Sequence, residues 1–157
     1  MKVYSWNVNG IRAVLKKGDF MRFITQHHPD ILCLQETKAS REQVEVNMPE
    51  YEEYWNSAEK KGYSGTAIFT KISPDDVILG IPPEITKKYP LTDSYGDTTR
   101  EGRVTTLEFP DFFVSSVYTP NAKDDRSRIP MRQAWGPAYL EFVDTLEQRK
   151  PVLFCGD

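Results

Sequence analysis

Along this chain, period-two runs of Val, Tyr, Trp and Ile alternate with segments of helical spacing, and each change of period is marked by Gly, Pro or Asn. Lys2 to Val8 reads as a strand, and Asn9-Gly10 breaks it. Asp19 is suited to cap a helix that carries Phe20, Phe23, Ile24 and His27 on one face and ends at His27-His28-Pro29. Asp30 to Gln35 is a second strand, with an unbroken apolar run from Ile31 to Leu34 of the kind that a parallel strand buried on both faces needs. Strand, helix, strand predicts a right-handed parallel βαβ unit.

Ser40 to Val46 predicts a short helix, with Ser40 and Gln43 as a capping box and Pro49 as its stop. Strands are expected over Tyr51 to Asn56, Thr66 to Thr70 and Asp76 to Ile81, with the turn cluster Gly62-Tyr63-Ser64-Gly65 before the second of them. Pro82 to Asp97 shows no periodicity and reads as a long polar loop. Arg103 to Phe109 and Phe112 to Tyr118 form a hairpin across Pro110-Asp111. After a loop rich in Lys, Asp and Arg, the positions Met131, Ala134, Trp135, Ala138, Phe142, Val143 and Leu146 fall on one helical face. Pro137 cannot donate a backbone hydrogen bond, so a kink or restart is expected there. Val152 to Cys155 is the last strand. The pattern is that of a mixed sheet covered by helices, in a single domain spanning residues 1–157.

Composition adds little except by exclusion. The chain has 157 residues and a net charge of −3, which argues against binding nucleic acid through bulk charge and leaves room for a local basic surface. No apolar stretch is long enough to span a bilayer, so no membrane partner is expected. The N-terminus enters strand-like sequence directly, without the layout of a signal peptide. Cys33 and Cys155 lie inside apolar strands and read as reduced core thiols, which places the chain in the cytoplasm.

The chemistry gathers at strand ends. The run Ile31 to Leu34 stops at Glu36, the first strand releases Asn7 and Asn9, and the last releases Asp157. A lone Glu in such a position is more often merely solvated. Three strands ending in Asn, Glu and Asp instead suggest one oxygen-lined pocket for a hard cation. His27 and His28, at a helix end, are given no catalytic role.

The motifs Trp6-Asn7-Val8-Asn9-Gly10-Ile11-Arg12, Leu34-Gln35-Glu36-Thr37-Lys38, Gly62-Tyr63-Ser64-Gly65-Thr66, Glu101-Gly102-Arg103-Val104, Tyr118-Thr119-Pro120-Asn121-Ala122 and Cys155-Gly156-Asp157 occur in that order. The series resembles the exonuclease III family of apurinic/apyrimidinic endonucleases, of the endonuclease/exonuclease/phosphatase superfamily. The resemblance implies a DNase I-like four-layered α/β sandwich. It also implies Mg²⁺ dependence (with Mn²⁺ as a substitute) and phosphodiester hydrolysis in double-stranded DNA, 5′ to abasic sites and at 3′ ends. By the same resemblance Glu36, Asn7 and Asp157 belong to the metal site, and Asn9 falls where members carry Asp or Asn. Tyr118, Asn121 and Asp157 are the catalytic set, with Asp157 positioning or deprotonating water. Without the resemblance, Tyr118 would read as a core aromatic and Asn121 as a turn residue. Tyr63 and Arg103 lie in motifs that meet DNA. Lys38, Arg103, Lys123, Arg126 and Arg128 are the candidates for gripping flanking phosphates.

The family pattern continues beyond Gly156-Asp157 to a further Asn, a distal Asp and an Asp-His pair. The resemblance therefore implies that these residues are the N-terminal half of the sandwich. A bare apolar sheet face, a fraying Asp157, and either a complementary half or self-association through that face are then expected. Two other readings stay open: a different phosphoesterase of the superfamily, and a catalytically incomplete DNA-binding module that keeps part of a metal site.

Overall fold

The computed structural model describes residues 1–157, which form two four-stranded sheets packed face to face between helices. The first sheet has the order β1 (Val3–Asn7), β2 (Ile31–Gln35), β4 (Thr66–Thr70), β3 (Glu52–Asn56). β1 and β2 are parallel with Val3 opposite Ile31, as the βαβ pattern requires, and β4 runs antiparallel to both β2 and β3. The second sheet has the order β10 (Val152–Gly156), β9 (Phe113–Val117), β8 (Val104–Glu108), β5 (Asp76–Leu79). The β8–β9 hairpin is antiparallel and closed by a hydrogen bond from Phe109 N to Phe112 O, whereas β10 lies parallel to β9.

Strand alternation assigns each side chain to a layer. Leu32 and Leu34 of β2, with Ala67 and Phe69 of β4, face outward under α1 (Ile11–Lys16) and α2 (Asp19–His27), where they meet Ile11, Phe20 and Ile24. Ile31, Cys33 and Ile68 face the other way and pack on Leu107 and Val114 of the second sheet. Val104, Phe113 and Val117 leave that sheet's far side and meet Trp135, Ala138 and Phe142 of α4 (Ile129–Glu147). Four layers, α/β/β/α, thus lie within these residues. The expected bare face is corrected: β5, β8, β9 and β10 form a sheet of their own and cover the first. What stays open is the outer edge of β1 and of β10, where Leu153 and Phe154 are exposed.

Several local expectations also change. Ile11–Lys16 is a helix that the sequence reading passed over. The N-cap of α2 is Gly18, at φ 76°, while Asp19 is the first helical residue and accepts from Arg22 at 3.0 Å. The Ser40–Gln43 capping box is present but supports only a single 3₁₀ turn, Arg41–Gln43, because Val44 turns extended. The long loop after β5 carries one helical turn, α3 (Pro83–Thr86), and a small ribbon of β6 (Thr92–Asp93) and β7 (Gly96–Asp97). α4 runs through Pro137 without restarting.

Candidate active site

The space between the sheets grades from apolar to polar toward one end. Gln35, buried at the end of β2, donates to Ser116 Oγ at 2.9 Å, and Ser116 donates to Leu34 O at 3.0 Å. Thr66 and Thr105 hydroxyls meet at 2.8 Å across the same gap. Buried polar groups persist only when paired, so these contacts pin the two sheets in one register beneath the site.

Beyond the strand ends, backbone pairing continues. Gly10 N bonds Glu36 O at 2.8 Å, Ile11 N bonds Thr37 O at 3.0 Å, and Lys38 N bonds Ser64 O at 2.8 Å. The loops after β1 and β2 and before β4 are thereby zipped together. This over-determination holds Asn9, Glu36 and Lys38 at φ 44°, 58° and 50°, a left-handed region that non-glycine residues enter at a cost of about 1–3 kcal/mol each. At the end of β10, a Cβ on Gly156 would lie 1.8 Å from Val117 O, so only glycine lets the last strand close on β9 and deliver Asp157.

Four predicted residues meet here. Asn7 Nδ2 donates to Asp157 Oδ2 at 2.6 Å, Asn7 Oδ1 accepts from Asn9 N at 2.9 Å, and the side chain lies beside Glu36. Tyr118, just past β9, lies beside Glu36. Burial pushes the Glu36 carboxyl up, but hydrogen bonds from Lys38, Asn7 and Tyr118 together with the Lys38 charge outweigh it, so its pKa lies below the ordinary Glu value. Burial, with the Glu36 charge beside it, pushes Tyr118 up to about 12, and its hydroxyl is a proton donor throughout the neutral range. Asp157 is tied to β9 and the turn after it: its N–H bonds Val117 O at 3.1 Å and its carbonyl accepts from Thr119 N at 2.7 Å. Asn121 is exposed at the rim, three residues past Tyr118.

The basic residues divide. Lys38 turns inward, its ammonium 2.9 Å from Glu36 Oε1 and 2.6 Å from Asn9 Oδ1, so it belongs to the carboxylate cluster and not to an outer phosphate grip. Arg103 and Arg128, the expected phosphate contacts, are buried, at 4% and 0% exposure. Glu101 bridges them, accepting from Arg103 Nε at 2.6 Å and from Arg128 Nη2 at 3.3 Å, and Asp93 takes Arg128 Nε at 2.6 Å. Their charges are spent internally. Arg103 also donates to Tyr118 O at 3.0 Å and lies 4.9 Å from the centre of that ring, so it is a positioning residue for Tyr118. The Tyr63 hydroxyl accepts from both arginines, at 3.2 and 3.3 Å. Lys123 is half-buried over the Tyr95 ring, and Arg126 is exposed.

Glu101, Asp93 and Tyr95 were missed as part of this frame. The only sequence signal was the Glu101-Gly102-Arg103 spacing, with Gly102 at φ 62° allowing the tight return between the pair.

The arrangement offers a hard carboxylate, amide and hydroxyl oxygens, a protonated phenol and a second carboxylate on the far side of Asn7. No three His, Cys, Asp or Glu side chains converge into a cage of their own.

A family model described as endonuclease/exonuclease/phosphatase matches residues 4–157. Over 157 residues the chain is 47% identical to an exodeoxyribonuclease of Bacillus subtilis, covering all of this chain and 58% of that protein. It is 40% identical over 162 residues to DNA repair nuclease APEX1 of Danio rerio, covering 48% of that protein. Among solved structures, AP endonuclease LMAP from Leishmania major aligns with TM-score 0.75 and 28% identity over 98% of this chain and 54% of its own. A 3′ phosphatase, NExo, from Neisseria bound to a product DNA hairpin aligns with TM-score 0.76 and 25% identity over 100% of this chain and 57% of its own. The chain spans about half the length of the curated relatives it matches.

Proposed function

The chain belongs to the endonuclease/exonuclease/phosphatase family, and we propose that it carries the chemistry of a DNA repair nuclease of the exonuclease III and apurinic/apyrimidinic endonuclease type. The reaction is hydrolysis of a DNA phosphodiester, 5′ to an abasic site or at a 3′ end. The observation that supports it best is the cluster of Tyr118, Glu36, Asn7 and Asp157 at strand ends of both sheets, with Asn7 donating to Asp157 at 2.6 Å and the Lys38 ammonium 2.9 Å from Glu36.

The residues fit a Mg²⁺ ion, with Mn²⁺ as the alternative. Mg²⁺ takes one or two carboxylates and completes its shell with water and substrate phosphate oxygens, so it needs no protein cage. Glu36 is the anchoring carboxylate, with Asn7 beside it as the neighbouring polar group, and the Lys38 ammonium against Glu36 marks that point as one that favours positive charge. Bound there, the ion would supply charge neutralisation for the phosphodiester and its leaving oxygen.

The chain's own groups do the rest. Tyr118, protonated up to about pH 12, donates to a nonbridging oxygen as charge builds on it. Asn121, free at the rim, donates to a second. Asp157 holds the attacking water and accepts its proton, with Asn7 fixing one carboxylate oxygen so that the other faces the substrate. Arg103 keeps Tyr118 in place from below. Lys123 and Arg126 are the cations left to meet backbone phosphates, and duplex DNA with an abasic site or a 3′ end is the substrate.

The test is cleavage of an end-labelled duplex with one abasic-site analogue, with Mg²⁺ and with chelator, for the wild type and Glu36→Gln. Nicking 5′ to the analogue is expected, and it disappears with chelator and falls by about 10²-fold or more in the variant. Cleavage that survives both changes overturns the reading, and a folded protein that nicks nothing decides for the catalytically incomplete module.

A further inference from the structure

The candidate site is divided between the two sheets. Asn7 ends β1 and Glu36 follows β2 in the first, while Tyr118 and Asp157 follow β9 and β10 in the second. The separation of the two halves therefore depends on how one sheet lies on the other. Deeper in the gap the sheets meet through Ile31, Ile68, Leu107 and Val114, and apolar contact of that kind has no direction of its own.

The layer directly beneath the site is different. Strand residues two apart face the same side, roughly 6–7 Å from each other. Ser5 thus lies below Asn7 and Ser116 below Tyr118, while Gln35 immediately precedes Glu36. Cys155, two residues before Asp157, lies beside Ser5. Gln35 joins these strands. It is 1% exposed, and Ser116 is fully buried. Ser116 spends its one proton on Leu34 O, at 3.0 Å, so its oxygen must accept from Gln35 Nε2, at 2.9 Å. That fixes the amide, whose Oε1 accepts from Ser5 Oγ at 3.3 Å. The donors run one way, from Ser5 through Gln35 and Ser116 to the backbone of β2, and a slide of one sheet on the other would break the run. An unpaired Gln amide inside the gap is costly, so the hydrogen bonds select a single offset.

We propose that Gln35 is the positioning residue for the whole site: its hydrogen bonds to Ser116 and Ser5 hold the sheets at the one offset at which Asn7 and Glu36 stand against Asp157 and Tyr118. The inference rests on the nuclease reading above and adds to it the group that sets the geometry from below, without touching substrate.

The experiment compares Gln35→Met, which keeps the length of the side chain and removes both hydrogen bonds, with Ser116→Ala, which removes the partner. The Thr66–Thr105 contact at 2.8 Å and the apolar layer remain in both, so both should fold. Leu107→Ala is the control, since it thins the same gap and touches none of these hydrogen bonds. Each protein is assayed on the abasic-analogue duplex with Mg²⁺, well below its melting midpoint. The side-chain amide of Asn7, which donates to Asp157, is followed by ¹⁵N-edited NMR without metal or DNA. In Gln35→Met and Ser116→Ala, kcat is expected to fall about 10- to 100-fold with KM unchanged, the range that a displacement of about 1 Å produces, and the Asn7 amide resonances are expected to move. Leu107→Ala is expected to lose stability and to keep both kcat and those resonances. If the wild type nicks and both variants lose no more kcat than the control, or lose it with the Asn7 resonances unmoved, the positioning role is overturned and the nuclease reading stands. If the folded wild type nicks nothing, the nuclease reading falls to the incomplete module and the Asn7 resonances decide alone: unmoved, they overturn the role of Gln35 as well. Ser116→Ala decides the matter if Gln35→Met folds poorly.

Discussion

Replacing Glu101 by Gln removes one charge and almost no volume, and it should cost this protein far more stability than a surface charge does. Glu101 is shared by two buried cations, at 2.6 Å from Arg103 and 3.3 Å from Arg128. Two guanidiniums there face two carboxylates, Glu101 and Asp93, and the variant leaves them one. Breaking a buried pair costs about 3–5 kcal/mol when the remaining charge has nothing else. Here each cation keeps a partner: Arg128 keeps Asp93 at 2.6 Å, and Arg103 keeps the Tyr118 carbonyl at 3.0 Å. The low end applies, about 3 kcal/mol. Domains of this size lose roughly 2–4 °C per kcal/mol, so the melting midpoint should fall by about 6–12 °C, read by far-ultraviolet circular dichroism. The control is Glu59→Gln. Glu59 meets Arg100 at 3.5 Å with both side chains about two-thirds exposed, and its loss should move the midpoint by no more than about 2 °C. If Glu101→Gln melts as close to the wild type as that control, the buried network does not stabilise the fold as argued.

Three further outcomes are expected. Glu108 is buried under Lys150 and Arg149, at 2.6 and 2.7 Å, and their hydrogen bonds and charges hold its carboxyl below the ordinary Glu value against the effect of burial. A depressed folded pKa gives stability that is complete above the unfolded value of about 4.3 and lost as pH falls through the folded one. Glu108→Gln should therefore melt below the wild type at about pH 7, and the gap should narrow as pH falls below about 4.3, read by melting midpoint against pH. The Cys155 thiol is lowered to about 7 by hydrogen bonding from Cys33, opposed by burial and helped by Ser5, while Cys33 is pushed up by its bond to Cys155 and by burial. Iodoacetamide should alkylate Cys155 in the native protein with an apparent pKa near that value and reach Cys33 only on unfolding, as peptide mass mapping will read; equal labelling of both would contradict this. Leu107, fully buried between the sheets, should cost about 2–5 kcal/mol as Leu107→Ala, measured by urea unfolding, and a cost below 1 kcal/mol would mean that the inter-sheet layer is not the packed core described here.

Most of the strands were legible because their evidence is local. The runs at Ile31 to Leu34 and Thr66 to Thr70 carry their own period and their own turn signals, and they fold within a residue or two of where those signals lie. The strand-end polar residues were legible for the same reason: Asn7, Glu36 and Asp157 each end an apolar run, and a run that ends in a polar group announces an exit from the core. α1 was not legible, since six residues after a glycine turn carry too little period to separate from a loop. Its stability comes from Ile11 reaching the core under the first sheet, which is a tertiary contact.

By itself, then, the sequence determined the order and type of the main elements and the strand ends at which Asn7, Glu36 and Asp157 stand. Only the tertiary structure decided how those elements are shared out. Strand periodicity states that a segment pairs, not with which partner, so nothing local revealed that residues 76–156 build a second sheet which covers the first. The arginines show the same limit in charge. Arg103 and Arg128 read like any cation in a polar loop, yet each is buried because Glu101 and Asp93, the latter 35 residues from Arg128 in sequence, close around them. Whether a charge grips a substrate or stabilises a loop depends on what folds against it, and that is settled by contacts between residues far apart in the chain.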